Sequence, residues 1–136
     1  MRLAFCFTVL GLVLASAPVR AHHSFAAEYD STKPVTLTGA VTKFDWTNPH
    51  VYFFIDVTDE STGRVTNWAF EMAAPSALKP SGWTRTTMKI GDVVTVEGTR
   101  AKDGGNHGNA RNVTLTATGQ KLGAASSEGR GGGAYK

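Results

Sequence analysis

His50 to Met72 reads HVYFFIDVTDESTGRVTNWAFEM, two apolar–polar alternations around a polar cluster. In the first run Val51, Phe53, Ile55 and Val57 fall on one face at period two, while His50, Tyr52, Phe54 and Asp56 fall on the other. Successive side chains leave a strand on opposite sides, so this alternation predicts a half-buried strand. Asp59-Glu60-Ser61-Thr62-Gly63 carries turn-forming residues and closes a hairpin onto Arg64 to Met72. The middle of the chain is therefore expected to be antiparallel sheet.

The flanking segments extend the same pattern. Val35 to Trp46 places Val35, Leu37 and Val41 on one face, but Phe44 and Trp46 are out of phase with them. A bulge near Thr42–Lys43 would restore the phase, and Gly39 fits a sharply bent strand. After the hairpin the period changes. Ala74 to Lys79 opens like a short helix, which Pro80 and Gly82 end. Met88 to Asp92 then turns into a strand from Val93 to Arg100. The hairpin loop from Lys102 to Gly108 leads to another strand from Asn109 to Ala117, and a short last strand is expected at Gln120 to Leu122. The expected fold is all-β. Three strands, a short helix and then two or three strands give an OB-like barrel of five to six strands, closed or partly open. A β-sandwich is the second choice, since it usually has more strands and no mid-chain helix.

The ends read differently. Met1-Arg2 is basic, Leu3 to Ala17 is nearly all apolar, and Val19-Arg20-Ala21 supplies small residues at a cleavage position. These are the parts of a secretory signal over residues 1–21, shorter than a membrane span. Residues 22–33 form a polar lead-in, residues 34–122 the barrel, and residues 123–136, rich in Gly, Ser and Ala, a tail expected to be disordered. The lone cysteine, Cys6, lies in the signal, so the mature chain has no thiol for a disulfide or a thiolate metal site. Without Arg2 and Arg20 the mature chain carries 12 Lys and Arg against 11 Asp and Glu. That balance does not suggest a nucleic-acid partner, which calls for massed basic residues. A periplasmic or secreted protein with no membrane span after signal removal is expected.

Cleavage after Ala21 would make His22 the first residue. A terminal α-amine titrates near ~8 and binds a metal at modest proton cost. Amine and imidazole of His22 could then chelate one ion, with His23 or His50 supplying a third nitrogen, a set suited to copper as Cu(II). The arrangement resembles the histidine brace of copper proteins, although only His22 matches that motif by position. A loose terminus that binds metal by chance is the plain alternative, and His50 could simply hydrogen-bond its turn. The other candidate surface is aromatic. Trp46, Tyr52 and Phe54, with Trp68 and Phe70 on the paired strand, could stack a small ligand or meet an envelope partner without any metal, or could lie packed under the helix or the amino-terminal segment. Trp83 is expected to plug one barrel end, and His107 to be solvated. No Gly-x-Ser-x-Gly elbow, His-Glu-x-x-His motif or phosphate-cradling glycine motif is present, and Asp45, Asp56, Glu71, Asp92 and Glu97 are scattered. The sequence thus carries no complete catalytic signature.

Several strings occur together: HHSFAAEYD (His22 to Asp30), KPVTLTGAVTKFDWTNPH (Lys33 to His50), NWAFEM (Asn67 to Met72), GWTR (Gly82 to Arg85), KIGDVVTVEGTRAKDG (Lys89 to Gly104) and NARNVTL (Asn109 to Leu115). Together they resemble a bacterial exported family classed as domain of unknown function 6152. The resemblance covers His22 to Leu122, with His22-His23-Ser24-Phe25 and Trp46 to His50 its most specific parts. It implies a periplasmic location and a single small β domain. It implies no activity, substrate or cofactor.

Overall fold

The computed structural model describes residues 25–125. The expected signal, His22, His23 and most of the expected tail lie outside the described residues. A one-turn helix α1 (Phe25–Glu28) leads into β1 (Tyr29–Asp45), and β2 (Tyr52–Thr58) and β3 (Val65–Glu71) form the central hairpin. A short helix α2 (Pro75–Leu78) runs into a 3-10 turn, Lys79–Ser81. Then come β4 (Val93–Ala101), β5 (His107–Leu115) and β6 (Gln120–Gly123).

The strand order is β3-β2-β1-β4-β5-β6, and a parallel pairing of β3 with β5 closes the first five into a ring. This is the expected order of strands and helix, with β6 added outside the ring on β5. Closure depends on β1 serving two partners. Its first half pairs with β4 and its second half with β2, the two ladders meeting at Ala40. Gly39 sits at that bend because the Asp56 carbonyl occupies the space a Cβ would fill. The register of β1 against β2 shifts between Val41 and Lys43. That is the bulge which the change of phase at Thr42–Lys43 requires.

Burial follows the alternation of the central hairpin. Val51, Phe53 and Ile55 are fully buried, and the register sets Phe53 opposite Phe70 and Ile55 opposite Trp68. Trp68 and Phe70 therefore point into the core, where Phe70 stacks on Phe53 at 5.5 Å between ring centroids. Of the two readings of these rings, the structure selects the packed one. Each large apolar side chain buried this way contributes about 1.5–3 kcal/mol. A one-residue slip would turn the whole set outward, so the core fixes the register. Trp83 is buried in the core, with its indole N–H donating to the Gly123 carbonyl at 2.9 Å.

The ends of the fold differ from the sequence reading. The lead-in is partly strand, since β1 begins at Tyr29. At the other end the fold runs past Leu122: Gly123 completes β6, and Ala124 and Ala125 are buried. The Ala124 carbonyl accepts from Ala73 N–H at 2.9 Å and its N–H donates to the Arg111 carbonyl at 2.8 Å. Those two bonds hold a segment whose composition alone suggests disorder. No helix among the described residues is long and apolar enough to cross a membrane.

Candidate functional site

Glu71 is the last residue of β3 and is only 8% exposed, unlike the other carboxylates of the strands. It occupies the face of the hairpin opposite Trp68 and Phe70, directly across from Tyr52. His50 lies on the Tyr52 side of its strand, one diagonal step from Glu71, close enough for side chains to meet. Its Nδ1 is paired with Glu71 Oε1. The second carboxylate oxygen, Oε2, accepts a hydrogen bond of 2.6 Å from the Tyr29 hydroxyl. Three elements thus converge on one buried carboxylate: the start of β1, the entry to β2 and the end of β3.

The electrostatics follow from that burial. Desolvation first, then the hydrogen bond and charge of Glu71, raise Tyr29 far above the ordinary tyrosine range. Burial, followed by the Glu71 charge, pushes Tyr52 up to about 12. Both phenols stay protonated and polar beside the carboxylate. No Lys or Arg pairs with Glu71 among the described residues.

With Nδ1 on Glu71, the other ring nitrogen of His50, Nε2, has no hydrogen-bond partner among the described residues, and the side chain is 39% exposed. A histidine whose Nδ1–H is held by a carboxylate presents a fixed Nε2 lone pair, the orientation metal-bound histidines adopt. Among the described residues no three His, Cys, Asp or Glu side chains come together as a metal-holding group. His50 and Glu71 would supply one ligand and its support, and further donors would have to come from elsewhere in the chain.

The described chain begins at this end of the ring. The Phe25 ring lies 5.3 Å from that of Tyr29. Lys102 pins α1 twice: its backbone N–H donates to the Glu28 carbonyl at 2.9 Å, and its Nζ to the Ala26 carbonyl at 2.5 Å. His23 and His22 precede Phe25 by two and three positions in the sequence, a reach of at most roughly 11 Å for extended chain.

The aromatic candidates are dispersed. Tyr52 is 37% exposed, but its neighbour on the same face, Phe54, is half-buried with Lys43 Nζ 5.3 Å over its ring. Lys43 is in turn held by Asp45 at 2.6 Å. Trp46 does not join that face. It is packed in the core, edge-on to Phe44 at 5.9 Å, because the bulge in β1 turns the end of that strand inward. His107 is half-buried at the start of β5, 3.6 Å from Asp103, rather than solvated in a loop.

Glu71 and Tyr29 are the site residues that the sequence reading passed over. Glu71 was legible by counting. The hairpin pairs Thr58 with Val65, and the same register carried back sets Tyr52 opposite Glu71. Tyr29 reaches Glu71 across 42 residues, which no local pattern encodes.

The sequence model of a family of unknown function, DUF6152, matches residues 10–111. No curated protein and no solved structure matches the chain.

Proposed function

The chain belongs to DUF6152, a family of unknown function, and from its own residues we propose an exported, periplasmic, non-enzymatic module that binds a divalent metal. Cu(II) suits the donor set best. The terminal amine and imidazole of His22 would chelate the ion once the signal is cut after Ala21. His50 Nε2, or His23, would add a third nitrogen, giving the planar set that copper prefers. The observation that carries this reading is the His50–Glu71 pair, which leaves Nε2 outward and holds the ring by a buried carboxylate. The contacts of Phe25 and Ala26 support it, since the described chain begins beside Tyr29, the partner of Glu71.

The test compares Cu(II) bound by the protein beginning at His22, by the same protein with Ala21 retained, and by a free peptide of residues 22–29. The expected result is tight, nitrogen-rich binding in electron spin resonance for the first alone, with one nitrogen lost in His50→Ala. Equal binding by the folded protein and the free peptide would mean that the barrel contributes nothing, and the proposal would fall.

A further inference from the structure

We propose that a cleft on the far side of Trp46 binds a small organic oxyanion, a carboxylate or phosphate ester carried on an apolar body. The cleft lies between the turn at Trp46 to Asn48 and the segment from Pro75 to Thr86, and encloses about 950 Å³. That is the size of pockets that hold small organic ligands, roughly 300–1,000 Å³. Pro75, Trp46 and Trp83 give it apolar walls, and all three are buried.

Its charge is one-sided. Lys79 and Arg85 line it, and no carboxylate does. Neither cation has a side-chain hydrogen bond or ion pair among the described residues. Two unpaired cations over an apolar floor select an anion, and the fork of an arginine matches the oxygens of a carboxylate or phosphate.

A second, independent observation comes from Trp46. The residue is 8% exposed, and its indole N–H has no hydrogen-bond partner among the described residues, whereas that of Trp83 is taken by Gly123. Among the described residues no sealed side-chain nitrogen or oxygen lacks a partner, so the Trp46 N–H touches solvent, and Trp46 is one of the residues lining the cleft. A solvent-touching donor on a residue that lines the cleft can serve a ligand acceptor. The walls are already set, because Leu78 and Trp83 are packed in the core and Gly82, at φ 92°, turns the chain between them.

The test uses the protein beginning at His22, kept metal-free with a chelator so that its outcome is separate from the copper reading. The three indole N–H signals are followed by nitrogen-edited NMR during titration with benzoate, phenyl phosphate and neutral benzamide. The Trp46 signal should move saturably with one or both anions and stay still with benzamide, while the core Trp68 signal serves as reference. A tighter response to benzoate assigns a carboxylate, and a tighter one to phenyl phosphate assigns a phosphate ester. The double variant Lys79→Gln, Arg85→Gln alters exposed side chains only and should weaken binding at least about tenfold. Silence of Trp46 with both anions, an equal response to benzamide, or unchanged affinity in the double variant would overturn the proposal.

Discussion

At the scale of single residues, Glu71 organises the candidate metal site. Its carboxylate receives the Tyr29 hydroxyl on one oxygen and His50 on the other, so a neutral replacement of the same shape isolates its charge. Glu71→Gln should lower Cu(II) affinity by about 10–100-fold, the usual cost of losing the partner behind a metal-bound histidine. Competition with a calibrated copper chelator measures it, and an unchanged affinity at an unchanged melting temperature would remove Glu71 from the site. The tyrosines give a test that needs no metal. Tyr52 is raised from its ordinary value near 10 to about 12, so its stabilising contribution is complete below pH 10 and is lost as pH climbs through 12. Tyr29 is raised further in the same direction. Ultraviolet titration of the tyrosinates should show a step near 12 that Tyr52→Phe deletes. Ionisation of Tyr52 close to 10 would mean that the phenol is not seated against Glu71.

At the scale of elements, β1 makes the ring possible. A strand of 17 residues can pair with β4 at one end and β2 at the other only by bending, and Gly39 and the shift after Val41 provide the bend. A Cβ at Gly39 would meet backbone, the Asp56 carbonyl, which cannot swing aside as a side-chain tip could. Gly39→Ala should therefore cost about 1–3 kcal/mol, the usual range for overpacking, read as a lower urea midpoint. Gly123→Ala is the control, because nothing lies within 4 Å of its added Cβ, and it should be close to neutral. Equal midpoints for the two variants would show that the ladders tolerate a side chain at the bend. The segment after β3 acts at the same scale: α2 and its 3-10 turn, with Trp83 after them, frame the cleft.

At the scale of the whole molecule, closure sets the candidate site and the cleft at separate places on a small ring. The parallel step from Ala69 to Glu71 against His107 to Asn109 completes the circle. His50, Glu71 and Tyr29 form one cluster, while the cleft with Lys79 and Arg85 contains none of these three. Much of the architecture was legible in the residues themselves. Period two over His50 to Thr58 fixed which side chains face inward, the phase change past Val41 located the bulge, and the order of strands and helix indicated the ring. These are local properties, written in alternation and turn chemistry, and short-range sterics enforce them wherever the strand goes. The partners of the site are of another kind. Tyr29 and Glu71 meet only because β1 starts at the end of the ring where β3 finishes. Trp46 leaves the aromatic face for the core because one extra residue in β1 reverses the side on which it emerges. Sequence determined the faces of the strands, because each face depends on neighbours two residues away. Tertiary structure alone decided which faces meet, because ring closure brings together side chains that the chain keeps far apart.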